Sequence, residues 1–302
     1  MSSGQRRPET VGSLVAIFQL SATIIGPSQF LLMKLSVLMS VYHRESPEIL
    51  RQSLASLAAQ TVQADEVVIV KDGPLGAELD AVIGAHCGSA PIVTVELERQ
   101  MGLGPALHAG LKRCRGDLVA RMDSDDICLR DRFQKQLAFM QRNPDADVVG
   151  GAIAEFHNDP TKIASIRRMP SSADLLGEIA RRRNPLNHMT VVFRKASVLA
   201  AGSYQSCPGF EDYDLWARVL MRGGRLYNLN DVLVYVRCGN GMQQRRDGFR
   251  YLRQEALLQH RFLKTGFLSK PQFVLNLIVR APVRLAPLPL RTAFYRQALR
   301  HI

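Results

Sequence analysis

Residues 66–74 read EVVIVKDGP, and the fold turns on them. After Glu66 come four consecutive β-branched residues with no polar break, as expected of a strand buried on both faces of a parallel sheet. The run stops abruptly at Lys71-Asp72-Gly73-Pro74, a turn sequence. Upstream, residues 35–41 (LSVLMSV) are a second apolar run of strand length. Between the two, Ser46-Pro47-Glu48 supplies an N-cap, a proline at the first helical position and an acid in the first turn. Leu50, Leu54 and Leu57 follow at helical spacing, which gives an amphipathic helix to about Ala59. Downstream the alternation continues: a short helix over 77–83, a strand over 92–96, a helix over 104–114 and a strand over 118–122 (LVARM). A helix over 130–143 buries Phe133, Leu137 and Met140 and stops at Asn143-Pro144, and 148–153 reads as a fifth strand. This is the βαβ pattern of a doubly wound α/β fold, in which ligands sit at the carboxyl ends of the strands. Three such ends are polar: Tyr42-His43-Arg44-Glu45, Lys71-Asp72 and Asp123-Ser124-Asp125-Asp126.

Composition narrows the class. The chain has 302 residues, 46% apolar and 22% charged, which excludes disorder, collagen and a disulfide scaffold. The five cysteines, Cys87, Cys114, Cys128, Cys207 and Cys238, are widely spaced without a C-x-x-C, which fits free thiols in a reducing compartment and no zinc. No apolar run reaches the ~18 residues of a membrane span, so a polytopic membrane protein is excluded. The net charge of +12 is concentrated at one end: residues 241–302 carry 12 Arg/Lys against 2 Asp/Glu. The basicity therefore belongs to a tail and not to the folded unit.

Residues 10–33 lack charge and follow Arg6-Arg7, which suits a signal sequence or a weak membrane anchor, but they are broken by Gln19, Ser21, Gly26, Pro27, Ser28 and Gln29 and no small-x-small cleavage site follows, which favours a plainer reading. Residues 1–33 are expected to be an unstructured or loosely helical extension, with Met33 fitting as the true start. Residues 34–246 form the main domain, divided into a first half over 34–153 and a second over 154–246. Residues 247–302 form a basic helical tail: a helix over 249–266, then apolar clusters with Arg280, Arg284, Arg291, Arg296 and Arg300, expected to be broken into short pieces at Pro282, Pro287 and Pro289. Phe294 and Tyr295 among these arginines suit contact with an anionic membrane surface. A helical hairpin packed on the core with solvated arginines is the plainer alternative.

Asp123, Asp125 and Asp126 form the most informative cluster. Crowded carboxylates repel unless a cation neutralises them, and hard oxygen donors suit Mg²⁺ or Mn²⁺ with phosphates completing the shell. Capping of the helix near Arg130 by Asp125 or Asp126 stands beside this on the turn alone. The buried strand in front of the turn favours the metal and phosphate reading.

The segments SVLMSVYHRE, VVIVKDG, GLGPALHAGLKRCRGDLVARMDSDD and PGFEDYDLWARVL together resemble family 2 glycosyltransferases of the GT-A fold, and among these the bacterial exopolysaccharide enzymes of the amylovoran type. The likeness spans residues 35–246. It implies a Rossmann-like, mostly parallel sheet flanked by helices, a nucleotide-diphosphate-sugar donor with UDP as the expected nucleotide, Mn²⁺ or Mg²⁺, and inversion at the anomeric carbon. By resemblance, Asp123 contacts the donor ribose, Ser124 lies between the two acids of the D-x-D, Asp125 ligates the metal with Asp126 assisting, and Asp72 accepts from the nucleobase edge. Val41, Tyr42, Arg44 and Glu45 match the loop that holds base and ribose. Arg99 and Gly102 match the segment under the nucleotide, although the family's N-x-G is replaced here by Arg99-Gln100-Met101-Gly102, and a solvated loop arginine is the alternative at Arg99.

In the second half, Glu211-Asp212 opens a helix behind a Pro208-Gly209 loop. Two acids in a first helical turn ordinarily serve the dipole. The resemblance makes Asp212 the general base that takes the acceptor hydroxyl's proton, with Glu211 as its neighbour or an acceptor contact. His188 is a candidate for acceptor or diphosphate contact, set against a structural role. Arg245 and Arg246 fall where related enzymes place a mobile loop over the diphosphate, set against the start of the basic tail. The expected acceptor is a saccharide or lipid-linked saccharide, and the expected place is the cytoplasm, peripheral on the inner face of the plasma membrane. A processive polysaccharide synthase would need several spans and usually a Q-x-x-R-W, whereas the single Trp216 lies elsewhere. A sugar-nucleotide pyrophosphorylase would open with a glycine-rich loop, absent from MSVYHRES. A non-catalytic nucleic-acid-binding protein fits the pI of about 9.9 but leaves the clustered aspartates unexplained, so no nucleic-acid partner is expected.

Overall fold

The computed structural model describes residues 33–86, 88–239 and 248–285. The extension over 1–32, Cys87, Arg245, Arg246 and the tail beyond Leu285 lie outside the described residues. The first four strands, β1 (Leu35–Val41), β2 (Glu66–Lys71), β3 (Ile92–Glu96) and β4 (Leu118–Arg121), pair in parallel in the order β3-β2-β1-β4. Helices α1 (Pro47–Ala58), α2 (Ala77–Gly84) and α3 (Leu103–Arg113) connect them. Ser46 caps α1 as its sequence implies, its Oγ accepting from Ile49 N–H at 3.4 Å. The run after Glu66 is buried on both faces: Val67 and Ile69 join one apolar cluster, Val68 and Val70 the other.

Beyond β4 the chain continues through β5 (Ile127–Cys128), α4 (Arg132–Arg142), β6 (Ala146–Phe156), β7 (Ile163–Arg167) and α5 (Ala173–Ala180). A 3₁₀ turn (His188–Thr190) then leads into β8 (Val192–Arg194), α6 (Lys195–Ala200), α7 (Glu211–Met221) and β9 (Arg225–Arg237). Strand β8 enters the sheet antiparallel between β4 and β6, β9 runs parallel to β6, and the two-residue β5 closes the order antiparallel to β9. The sheet is thus parallel over its first four strands and mixed thereafter. One face is covered by α1, α2 and α4, the other by α3, α6 and α7.

A hairpin of α8 (Gly248–Lys264) and α9 (Lys270–Leu285) follows. Tyr251, Leu258, Phe262, Phe267 and Leu268 pack with Phe210, Tyr213 and Ala217 in a third apolar cluster. The expected break at Pro282 does not occur: α9 runs through it. Proline removes one N–H bond and crowds the carbonyl four residues back, and at Pro282 these costs fall in the helix's last turn, where the preceding turns are already formed.

Candidate active site

The polar ends of β1, β2 and β4 lie on one edge of the parallel sheet, and side chains tie them together. At the end of β1, Glu45 accepts from Ser46 N–H at 3.0 Å and, through its other oxygen, from Ser124 Oγ at 2.6 Å. Val41 is buried, and its carbonyl accepts from Asp72 N–H at 2.8 Å. Tyr42 is half-buried against His43, while Arg44 is exposed. At the end of β2, the two oxygens of Asp72 accept from Met101 N–H at 2.6 Å and Gly102 N–H at 3.0 Å, at the start of α3. Each oxygen keeps a second lone pair. Gly73 makes this docking possible: it sits at φ 85°, and a Cβ there would come within 2.8 Å of Gln100 N. The 99–102 segment is therefore held against Asp72 as expected, with Arg99 itself exposed.

In the acidic turn, Asp123, Asp125 and Asp126 each offer an oxygen, all within 4.8 Å of one another. Burial, then the Asp123 and Glu45 carboxylates, push the Asp125 carboxyl up to about 7. Burial and the same kind of crowding from Asp123 and Asp125 raise Asp126 well above the usual carboxylate range. Asp126 Oδ1 accepts from Arg237 N–H at 3.0 Å, and its buried Oδ2 has no hydrogen-bond partner among the described residues. The capping alternative falls away, because α4 starts only at Arg132 with Asp131 at the N-cap position. Three converging carboxylates, one with an orphaned buried oxygen, suit a hard divalent cation.

Two buried guanidinium groups stand behind this cluster. Arg121 pairs with Asp123 through Nη2, while its Nε and Nη1 have no hydrogen-bond partner among the described residues. Arg132 donates to Arg121 O at 2.8 Å and to Gln136 Oε1 at 3.0 Å. They place fixed positive charge against a site that holds three acids.

On the opposite side, α7 starts with Glu211 and Asp212. Asp212 Oδ2 accepts from Asn184 Nδ2 at 2.5 Å and Oδ1 from Tyr213 N–H at 2.8 Å. Glu211, its carboxyl raised chiefly by burial, lies against Gly104 of α3, where a Cβ would come within 3.0 Å of its Cγ. His188 is buried, with Nε2 3.0 Å from Tyr204 Oη and its ring edge-on to Trp216. Burial and then Arg121 hold its imidazole well below the usual range, so it is neutral. Burial raises the Tyr204 phenol, Arg121 opposes this, and Asp212 and Asp123 both add to it. The D-x-D and Asp212 thus act on one side chain between them.

The structure brings together Glu45, Asp72, Gly102, Asp123, Ser124, Asp125 and Asp126, with Glu211 and Asp212 opposite. Three further participants lie outside the sequence motifs: Arg121, Tyr204 and Asn184. Arg121 carries a legible signal, since it is the one charge inside the apolar run LVARM.

The model of the family described as Glycosyl transferase family 2 matches residues 36–201. The amylovoran biosynthesis glycosyltransferase AmsE of Erwinia amylovora is 43% identical over 265 residues, covering 87% of this chain and 98% of that protein. The UDP-Gal:α-D-GlcNAc-diphosphoundecaprenol β-1,3-galactosyltransferase of Escherichia coli is 37% identical over 267 residues, covering 88% and 97%. The crystal structure of S. aureus TarS residues 1–349 in complex with UDP-GlcNAc superposes with a TM-score of 0.64 at 19% identity, covering 89% of this chain and 77% of that one, and so shares the GT-A fold. With a matching family model over more than half its length and close relatives over nearly all of theirs, the chain belongs to the family 2 glycosyltransferases, related to the enzymes of exopolysaccharide synthesis.

Proposed function

We propose that this glycosyltransferase transfers a sugar with inversion from a nucleotide-diphosphate-sugar, UDP being the expected nucleotide, to a saccharide or lipid-linked saccharide. The observation that carries the reading is the convergence of Asp123, Asp125 and Asp126 at the carboxyl end of β4. Residues 34–153 form the donor half and 154–246 the acceptor half, followed by the basic tail over 247–302. Asp125, assisted by Asp126, would hold Mn²⁺ or Mg²⁺, which when bound supplies positive charge to the donor diphosphate. Asp72, held by the start of α3, offers its remaining lone pairs to the nucleobase edge. Val41, Tyr42, Arg44 and Glu45 line the base and ribose, Arg99 and Gly102 underlie the nucleotide, and Asp123 takes the ribose hydroxyl.

Asp212 acts as the general base. Its carboxylate takes the proton of the acceptor hydroxyl while that oxygen bonds the anomeric carbon from the face opposite the diphosphate. The bond from the anomeric carbon to the diphosphate oxygen breaks, and the nucleoside diphosphate leaves with the electron pair. Glu211 faces the acceptor beside it. His188, bonded to Tyr204, supports the acceptor side, and Arg245 and Arg246, which lie outside the described residues, remain the candidates for diphosphate contact that the resemblance suggests. Attachment to the anionic inner face of the plasma membrane through the basic C-terminal segment would bring a lipid-linked acceptor within reach. It fits the absence, among the described residues, of any helix long and apolar enough to cross a membrane.

The deciding experiment is thermal shift with UDP and Mn²⁺ or Mg²⁺. Ligand that binds only the folded state raises the melting temperature. The shift is expected in the wild type and absent in Asp125→Ala at unchanged fold. No shift with any nucleoside diphosphate, together with tight binding of oligonucleotides, overturns the reading.

A further inference from the structure

Helix α9 is amphipathic with its sides reversed. The side laid on the protein carries Phe273, Asn276, Leu277 and Arg280: Phe273 sets its ring 6.5 Å from that of His260, and the hydrogen bonds and ion pair of this side come from Asn276 and Arg280. Asn276 Nδ2 donates to Gln259 Oε1 at 2.9 Å and to Arg181 O at 2.8 Å. Arg280 pairs with Glu255 of α8 and donates to Arg182 O. On the other side, the exposed positions described between 271 and 282 are Pro271, Val274, Leu275, Ile278, Val279 and Pro282, none of them polar. Val274, Leu275, Ile278 and Val279 are 51%, 56%, 63% and 56% exposed. A helix on the surface of a soluble domain normally turns its apolar stripe inward, and a contiguous exposed apolar patch marks an interaction surface.

Charge selects the occupant. Glu255 is the only carboxylate in residues 248–285, and it is buried against Arg280. Arg250, Arg253, Lys264 and Lys270 are exposed on the same two helices. A second copy of the chain would bring an equally positive face to this one, whereas an anionic lipid surface offers both a hydrocarbon boundary and the opposite charge. Position agrees with this: the carbonyls that hold α9, those of Arg181 and Arg182, lie just ahead of Asn184, which donates to Asp212.

We infer that the outward face of α9 is the docking surface for an anionic phospholipid bilayer, reached through Val274, Leu275, Ile278 and Val279 and steadied by the exposed arginines and lysines around it. The inference deepens the membrane attachment proposed above by naming its surface. Its bearing on the acceptor rests on the reading of Asp212 as the base, but the docking itself does not.

The test uses the full chain and sedimentation with vesicles of phosphatidylcholine, with and without phosphatidylglycerol. The wild type should bind the anionic vesicles, less as salt rises, and the neutral ones weakly. In the double variant Leu275→Glu/Ile278→Glu, binding should fall at least ~10-fold, because its apolar contact is lost and like charge is added. Leu275→Ser/Ile278→Ser, with a smaller loss, guards against misfolding by the glutamates. The UDP-induced thermal shift should persist in both, so failure here is separable from failure of the transferase reading. Equal sedimentation of variants and wild type overturns the inference. So does equal binding to neutral and anionic vesicles, or a wild-type dimer in size exclusion that the glutamate variant turns into a monomer.

Discussion

Asn184 shows how much of the proposed chemistry depends on one amide. Its Oδ1 accepts from Leu186 N–H at 3.3 Å, which fixes the amide orientation and turns Nδ2 to Asp212 Oδ2 at 2.5 Å. A donor placed there favours the charged carboxylate and holds it in one rotamer. Replacing Asp212 by Asn should leave UDP binding intact and reduce transfer by ~10²–10⁴. Asn184→Ala should do the same more mildly, about 10–100-fold, the worth of one hydrogen bond to a charged group. The acid limb of its rate profile should move to higher pH, because the ionised form has lost a donor. Steady-state transfer assays with titrated UDP check both variants. Unchanged turnover in Asp212→Asn removes it as the base, while an unmoved acid limb in Asn184→Ala removes only the positioning role. The acidic turn was legible in the sequence because three aspartates crowded behind a buried strand repel one another unless a cation joins them. Asn184 was not, because an asparagine before a proline reads as a turn residue, and only the folded chain brings it to a carboxylate 28 positions away.

At the scale of elements, α7 is the joint between the base and the C-terminal hairpin. Asp214, one turn into α7, is 1% exposed; one of its oxygens accepts from Arg218 Nε at 3.0 Å and lies 2.9 Å from Nη2 as an ion pair, and the other accepts from Arg261 Nη1 of α8 at 3.0 Å. Arg218 and Arg261 are 19% and 44% exposed and can turn to water, so Asp214→Ala should lower stability by about 1.5–3 kcal/mol, the worth of the lost hydrogen bonds to a buried charge. Urea unfolding of the full chain measures this, and a loss below ~1 kcal/mol would mark the triad as solvated in solution. The first four strands and their helices were legible because each obeys a single period, with β-branched runs for strands in the middle of a sheet and Leu at helical spacing for the covers. The second half was legible only in its helices, α7 opening at Glu211 and α8 over Gly248–Lys264, and not in how its strands join the sheet. Strand β8 is only three residues long, preceded by a 3₁₀ turn and wedged antiparallel between β4 and β6. The sequence does suggest a strand just after His188, over 190–193, but a segment so short says nothing of direction or neighbours, and its antiparallel place is set by the strands on either side. The reversed polarity of α9 was equally hidden, because a helical period in the sequence does not say which side faces inward.

For the whole molecule, the acidic cluster links folding to pH and to the cation it fits. Asp125 holds its proton up to about 7 in the folded chain, whereas an unfolded aspartate releases it near pH ~4. Between these values the unfolded state binds fewer protons than the folded one, so stability falls as pH rises through this window and the penalty is complete above it. Asp126, raised in the same direction, adds to the effect. A divalent cation relieves the repulsion by displacing those protons, and its affinity rises as the carboxylates ionise. The melting temperature of metal-free protein should therefore drop between about pH 4 and about pH 7 and level off above that, and the increment produced by Mn²⁺ or Mg²⁺ should grow over the same range. Asp125→Asn should melt higher than the wild type near pH 8 without metal, because one crowded charge is gone, and should lose the metal increment at every pH. Scanning fluorimetry across this range reads all three outcomes together. An increment that ignores pH, or one that survives in Asp125→Asn, would detach the cation from this cluster. The expected pattern would mean that the site keeps its three carboxylates together at a cost in stability that only a bound cation offsets.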